Sequence, residues 1–600
     1  MSAEAVYLAA VLLLALVSFY TQVLRPDVTA LLVMLAMMVP WRPVDGGLHP
    51  ILTPTEAFHG FGSPALVMVA AMFVLSTAMV RTGAAQLLGG RLLAAGAGSE
   101  LRFQLTVLAV ITLFSAVIND TTTVLVWMPI VMAVCRERGY APSRVLILLA
   151  YASLLGGQWT LIGTRSNIIL SDYLHSRTGH GLDFFSFTPV AAAVFAACAL
   201  WFLLVGRRSL PRGERNESLE GRYEVAEFLT ETMATPGSDI VGRTLAELDL
   251  PGKEVTVLQV IRGTEFLPPS TWLKIQPGDV LVIQGRITAI TDVLARPGLQ
   301  AKEELRLDDK TLRSADLRMV EAILPPDSDF ERRSLRDLEF HRTYGVSPLA
   351  ISRAGRSLRD RPLHEPLRAG DSLLLVGHEA EIQRLRRNRN LMLLESRPLP
   401  NVGRGRAVLV LAIMAAMVLT CAFGILPAAL AIPAAAMAAV LCRCVGMRSA
   451  YESMDLSALV IVGAMIPFGE ALAKTGTAQW IADAIATSFS DSSPQLLLAV
   501  LLLLAVLFTQ LIENAAVAVI MAPLAYELAI ASNARPEPFL LGVAICVSTA
   551  FMTPMAHEST LLVMGPGRYR FADYLRLGAP FALLTWLVTT LVVPLWWPLR

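Results

Sequence analysis

Long apolar runs, each broken by a few polar residues, dominate both ends of the 600-residue chain, and a polar stretch of shorter period separates them. In the first part the runs fall at 6–20, 28–40, 65–80, 103–118, 121–134, 145–161 and 190–205. In the last part they fall at 408–423, 425–441, 456–472, 496–512, 515–530, 539–555 and 581–597. A helix needs about 20 apolar residues to cross the hydrocarbon core, so these runs predict helices that span the membrane or dip into it. The first run opens Met-Ser-Ala-Glu, without a basic segment, and reads as a first span and not as a cleaved leader.

The two parts repeat each other. ALVMVAAMFVLSTAMVRTGAAQ at 65–86 aligns without a gap on ALVIVGAMIPFGEALAKTGTAQ at 458–479, a shift of 393. Asn119-Asp120, ahead of Pro129, aligns on Glu513-Asn514, ahead of Pro523, at a shift of 394. The segment 160–167 (TLIGTRSN) aligns on 553–560 (TPMAHEST), again at 393. Polar punctuation matches along with the apolar residues, which generic helix composition does not explain. Asn119-Asp120 and Glu513-Asn514 each cut an apolar stretch into halves too short to span alone, which predicts re-entrant helical hairpins. Gly156-Gly157, Gly163 and Pro554 predict unwound middles of two other helices around 163–167 and 556–560. Irregular backbone at membrane depth is tolerated only where it lines a cavity. Paired repeats with interrupted segments in corresponding places are the pattern of secondary transporters.

Between the repeats the composition changes. Of the 50 Lys and Arg, 32 lie in 207–406, although the whole chain is 54% hydrophobic, only 16% charged and carries a net charge of +1. Neither a nucleic-acid-binding charge excess nor a disordered acidic chain fits those figures. The six Cys read as packing residues. Within the insert the period shortens toward two, and 255–261 and 280–285 predict strands, with Pro277-Gly278-Asp279 as the turn before the second. Residues 367–377 repeat 275–285, with Asp371 on Asp279, so 223–294 and 318–385 predict two copies of one small domain. Arg207, Arg208, Arg212 and Arg215 on one flank, and Arg397, Arg404 and Arg406 on the other, predict a cytoplasmic insert in a plasma (inner) membrane protein. The expected organisation is 1–206 membrane repeat, 207–300 and 301–405 soluble domains, and 406–600 membrane repeat.

The stretch 548–563 (STAFMTPMAHESTLLV) and the tail 565–574 (GPGRYRFADY) resemble the divalent-anion/sodium symporter family, in its sulfate-permease-like subgroup. The wider superfamily also holds arsenite permeases. The two insert copies resemble the TrkA C-terminal (RCK-C) domain, a small α+β ligand-sensing module. These resemblances imply a polytopic α-helical membrane protein of two inverted repeats with re-entrant hairpins and broken helices, plus a central insert of two RCK-C-like domains. They further imply a homodimer in the lipid membrane, an elevator motion, and a nucleotide or small-molecule regulator on the insert. The substrate is then a small inorganic or carboxylate anion such as sulfate or a dicarboxylate. No cofactor is expected beyond a coupling Na+ or H+, and neither enzymatic activity nor a nucleic-acid partner is.

The resemblance and the repeat together place substrate and ion binding on Asn119, Asp120, Thr121 and Thr122, on Gly163, Thr164, Arg165, Ser166 and Asn167, on Glu513, Asn514 and Ala515, and on Pro554, His557, Glu558, Ser559 and Thr560. This chain departs from the family pattern in the charged Asp120 and Glu513 at the hairpin tips, in Arg165 and His557-Glu558, and in having no Asn near Thr560. Charges at bilayer depth are expensive and mark function. Arg165 and Glu558 are repeat equivalents, which leaves two readings: an ion pair joining the repeats, or an Arg165 that binds the anion bidentately while Glu558 or Glu513 carries a proton, with His557 as relay. A permease of arsenite or an antiporter type, and a channel, are the competing functions; the K+-channel filter sequence is absent.

Overall fold

The computed structural model describes residues 3–600 apart from 22–23, 45–46, 86, 88–92, 94–95, 212–226, 237, 239, 249–254, 264, 268, 287–298, 304–316, 326–327, 336, 339, 354–355, 359–364, 386–387, 389, 395–403 and 489–492. The chain forms two units, Met1–Gly213 with Ser396–Arg600, and Glu214–Glu395.

The first unit is helical. Its first part carries α1 (Ala3–Thr21), α2 (Pro26–Met38), a small hairpin of β1 (Arg42–Val44) and β2 (Gly47–His49), α3 (Pro64–Arg81), α4 (Glu100–Ser115), α5 (Asp120–Arg138), α6 (Leu146–Gly157), α7 (Arg165–Thr178) and α8 (Thr188–Trp201). The last part carries α9 (Arg404–Ala422), α10 (Ala428–Leu441), α11 (Leu456–Lys474), α12 (Thr477–Ser488), α13 (Pro494–Thr509), α14 (Asn514–Ala531), α15 (Pro536–Val547), α16 (Glu558–Gly567) and α17 (Phe571–Trp596). Among the described residues, six helical stretches are long and apolar enough to cross a membrane: Pro54–Arg81, Thr188–Ser209, Gly405–Ala422, Leu456–Lys474, Asn514–Ala531 and Phe571–Trp596.

The corresponding elements of the two parts share their connections. The turn between α4 and α5 is matched by the turn between α13 and α14, and the second helix of each pair holds a proline inside it, Pro129 and Pro523. The break between α6 and α7 is matched by the break between α15 and α16. Thr160 Oγ1 donates across to the Ala116 carbonyl at the first turn, and Thr553 Oγ1 donates to the Gln510 carbonyl at 2.7 Å at the second. Asn167 Nδ2 donates to Thr160 O at 2.8 Å, and Thr560, its equivalent, places its hydroxyl 3.5 Å from Thr553 O. A threonine thus stands where the resemblance called for an asparagine and reaches the same carbonyl.

The breaks lie earlier than the sequence suggested. Residues 158–164 and 548–557 are irregular, whereas Arg165–Asn167 and Glu558–Thr560 are the first turns of α7 and α16. Thr164 and His557 take extended backbone and act as N-caps, and the Arg and Glu behind them are good helix formers. Gly163 is required in its break, because a Cβ there would lie 2.4 Å from the Gly157 carbonyl oxygen.

Two buried tyrosines, Tyr569 and Tyr151, fasten the last part to the first, and a third, Tyr574, bonds within the last part. Tyr569 Oη accepts from Ile147 N at 2.7 Å and donates to Ser143 O at 2.8 Å. Tyr151 Oη donates to Phe551 O at 2.7 Å, and Tyr574 Oη donates to Thr560 O at 2.7 Å. Tyr569 and Tyr151 bond backbone groups at the start of α6 and in the break before α16, which helix ends and breaks leave open.

The second unit consists of two five-stranded antiparallel sheets with one topology. The first runs β5 (Glu265–Leu267), β4 (Val255–Arg262), β6 (Val280–Arg286), β3 (Glu227–Ala234), β7 (Leu299–Glu303). The second runs β10 (Arg356–Ser357), β9 (Ser347–Arg353), β11 (Ser372–His378), β8 (Leu317–Ile323), β12 (Met392–Leu393). Alternate residues build each core, Leu281 and Ile283 in one and Leu373 and Leu375 in the other, as the period of two requires. The fifth strands β7 and β12 lie beyond 294 and 385, where the sequence repeat fades.

Both sheets carry the same clasp. Arg262 Nε and Nη2 each donate at 2.8 Å to Asp279, whose carboxylate also accepts from Gln276 N at 2.8 Å. Arg353 Nε and Nη2 donate to Asp371 at 2.9 and 2.8 Å, and Asp371 accepts from Arg368 N at 2.8 Å. Burial alone would push the Asp279 carboxyl up, but the guanidinium and amide donors outweigh it and hold it below its ordinary value. Gly242 (φ +83°) donates its N–H to Ile275 O in the first sheet; Arg332, at φ +64°, does the same to Leu367 O in the second.

Candidate functional site

Four helices begin close together because hairpin turns and breaks end in the same region. Three of the four starts are capped by the side chain of the polar residue that the sequence places there. Asn119 Oδ1 accepts from Thr121 N at 3.1 Å, at the head of α5. Glu513 Oε2 accepts from Ala516 N at 3.3 Å, at the head of α14. His557 Nδ1 accepts from Ser559 N at 3.1 Å, at the head of α16. Thr164 precedes α7 without a side-chain cap bond. Helix starts present unpaired N–H groups and a partial positive charge, which suits anions.

Side chains join these starts across the two parts. His557 Nε2 lies 3.2 Å from Asp120 Oδ2, with both side chains almost fully buried. Because Nδ1 accepts the cap bond, the ring carries its hydrogen on Nε2 and donates it to Asp120. Arg165 Nη2 lies 3.3 Å from Glu513 Oε1, and Nη1 lies 3.8 Å from Asp455 Oδ2. The Arg165 side chain is 11% exposed. Glu558 is within electrostatic range of Arg165 and His557 but is not an ion-pair partner of Arg165 within 4 Å among the described residues. The pairing of Arg165 with Glu558, suggested by their repeat equivalence, is therefore corrected. Arg165 turns instead to the hairpin tip of the other part, because α7 and α14 pack side by side.

Asp455 is the member that the sequence reading missed. It is the N-cap of α11, where its Oδ1 accepts from Ala458 N at 3.0 Å. The signal available was an Asp just ahead of an apolar run. Its repeat equivalent is Gly62, so the repeat logic that found the others passed it by.

The neighbouring candidates fall into three groups. Ser166 Oγ, Ser559 Oγ and Asn167 Oδ1 are buried and have no hydrogen-bond partner among the described residues. Asn514 Oδ1 receives the Thr509 hydroxyl at 2.7 Å, and its Nδ2 is without a partner. Thr560 Oγ1 donates to His557 O at 2.7 Å. Thr121, Thr122, Gly163, Ala515 and Pro554 line the helix starts and breaks without an ion pair in the cluster. Buried polar atoms without partners are uncommon, and the oxygens among them are of the type that hard cations take.

The chain's own clasps show what a structural arginine looks like here. Arg262 and Arg353 each make bidentate contacts at 2.8–2.9 Å, the distances of charge-assisted bonds. Arg165 makes neither a bidentate nor a short contact, yet it is nearly buried. Its five N–H donors are loosely engaged and within reach of a further oxyanion.

The sequence profile described as "citrate transporter" (CitMHS) matches residues 16–546. An uncharacterized transporter of Synechocystis is 30% identical over 98% of this chain and 96% of its own length. The uncharacterized transporter YfbS of Escherichia coli is 29% identical over the whole of both chains. A probable sodium/sulfate cotransporter of Chlamydomonas reinhardtii is 26% identical over 61% of this chain and 42% of its own length.

Proposed function

Because the chain belongs to the CitMHS citrate transporter family, we propose that this multi-pass membrane protein is a secondary transporter of a small oxyanion, sulfate or a dicarboxylate, driven by Na+ or H+. The observation that carries this reading is Arg165, a nearly buried and loosely held guanidinium where four helices begin. The name of the Chlamydomonas relative, a sodium/sulfate cotransporter, supports the anion and the sodium alternative. Oxygens of Ser166, Ser559 and Asn167 are the candidate ligands of a coupling Na+.

In the same reading the two membrane parts are inverted repeats, and the protein works as a homodimer whose helix starts travel with the substrate as an elevator. The insert is a pair of RCK-C-like domains on the cytoplasmic side of the inner membrane, open to regulation by a nucleotide or other small molecule. The test is uptake into proteoliposomes of sulfate, succinate, citrate, phosphate and arsenite, with Na+ removed at a fixed pH gradient and the gradient collapsed at fixed Na+. Uptake of sulfate or a dicarboxylate that needs one of the two gradients supports the reading. Uptake of arsenite alone, or unitary currents in planar bilayers, overturns it.

A further inference from the structure

The side chain that occupies Arg165 is itself a carboxylate. Glu513 turns one oxygen to the guanidinium, at 3.3 Å, and the other to Ala516 N at the start of α14, at 3.3 Å. It therefore sits where an incoming oxyanion would sit, between an arginine and a helix start. We propose that Glu513 is an internal competitor for the transported oxyanion at Arg165, displaced by substrate as it takes up a proton, so that anion and proton enter together.

Three observations converge on this. The equivalent of Glu513 in the first part is Asn119, which caps α5 with a neutral amide oxygen at 3.1 Å. Capping therefore does not require the charge at 513; the charge serves Arg165. Next, the contact is long and single where the structural clasps of the same chain are short and double, so it is a contact that can be exchanged. Third, the resident charges leave no room for an added anion. Around the Arg165–Glu513 pair, within electrostatic range of Arg165 on α7, stand Asp455 at the head of α11, Asp120 at the head of α5, and His557 and Glu558 at the head of α16. The helices beside it, α13 and α15, bring uncharged groups to this end, namely Thr509, Gln510, Ser548 and Thr549. Four carboxylates face one guanidinium and an imidazole whose Nδ1 is an acceptor. A dianion arriving at Arg165 beside an ionised Glu513 meets like charge in a site of low dielectric. A proton from solution on Glu513 Oε1 removes that repulsion and frees the guanidinium at once, and it returns to solution when the anion leaves.

The proposal rests on Arg165 as the anion ligand, and the experiment separates the two. Purified full-length protein, Glu513→Gln, Glu513→Asp and Arg165→Ala are titrated with sulfate, succinate and citrate from pH 8 to pH 6, with melting temperature as the check on folding. Wild type is expected to bind more tightly as pH falls, by up to about tenfold per pH unit for one linked proton. Glu513→Gln is expected to bind at pH 8 at least as tightly as wild type does at pH 6, with the pH slope gone, and Glu513→Asp to restore the slope. Weaker binding by Glu513→Gln at pH 8, or an unchanged slope, overturns the proposal while leaving Arg165 in place. Full binding by a folded Arg165→Ala overturns the ligand role of Arg165. Binding of none of the three anions to wild type and Glu513→Gln alike overturns both.

Discussion

Replacing Arg165 by lysine isolates geometry from charge. Lysine keeps the positive charge and can still approach Glu513 and Asp455, now 3.3 and 3.8 Å from the guanidinium, so folding should survive. What it loses is the planar fork. A guanidinium holds an oxyanion through two parallel N–H donors, whereas an ammonium acts as a point charge. One charge-assisted hydrogen bond is worth about 1.5–3 kcal/mol, which corresponds to a rise of roughly 10- to 150-fold in KM. Concentration-dependent uptake of labelled sulfate into proteoliposomes, at a saturating driving gradient, reads that number. The melting temperature in detergent should move by no more than a few degrees, because the loose native contacts are replaced by a comparable one. A lysine variant with KM within threefold of wild type and the same maximal rate would refute the reasoning, since Arg165 would then act as a charge without recognising shape. A collapse of the melting temperature would instead make it a structural residue.

Other expectations concern the frame around the site. Asp279→Asn removes a fully buried partner of the Arg262 clasp and should lower local stability by about 1.5–3 kcal/mol, read as faster hydrogen exchange at Val280–Val282; unchanged protection would count against the clasp. The sign with pH follows from the lowered Asp279 pKa: its contribution is complete above about pH 4 and is lost as pH falls through the folded value, so the Asn variant should be weaker at neutral pH and less sensitive to acid. Arg332→Gly relieves a left-handed residue at φ +64° and should stabilise the insert by about 1 kcal/mol, seen as a raised melting transition; a lowered one would refute it. Gly578→Ala would put a Cβ 2.1 Å from the Phe551 carbonyl oxygen, which already binds Tyr151, and should cost about 1–3 kcal/mol in detergent melting. An unaltered melting temperature would show that α17 can move aside.

Much of this arrangement is legible in the chain because polar residues inside apolar runs have few places to go. Asn119-Asp120 and Glu513-Asn514 mark hairpin turns, and the structure puts helix starts at 120 and 514. Each sequence-predicted apolar run corresponds to a helix. The breaks lie some residues earlier than the pattern indicates, since Gly163 and Pro554 signal loosened backbone while Thr164 and His557, at the N-cap positions of the next helices, carry the boundary. Pairing within the cluster was not legible. Repeat equivalence says which positions correspond, not which touch, and the contacts run from one part to the other: Arg165 to Glu513 and His557 to Asp120. Asp455 escaped because it has no charged counterpart at Gly62. Tyr569 of the tail could be read as part of a family resemblance but neither it nor Tyr151 as a fastener, because their partner carbonyls lie 426 and 400 residues away in the chain. In the insert, Pro-Gly-Asp and Arg-Ala-Gly-Asp show the turns, yet the marginal strands β7 and β12 are recruited by pairing with β3 and β8 and have little pattern of their own.

The prolines inside α5 and α14 give both hairpins the mechanics of a jointed lever. Each removes one rung of the backbone ladder, at Pro129 and at Pro523, nine residues from the helix start in either case. Nine residues of helix make an arm of about 14 Å. A flexure of about 10° at such a joint swings the far end by roughly 2 Å, while the rest of the helix stays seated against its neighbours. That excursion is comparable to what separates a 3.3 Å contact between Arg165 and Glu513 from an open gap. The grip on the guanidinium is thus set at the end of an elastic arm, where small torques far from the charges are amplified into the making and breaking of one contact.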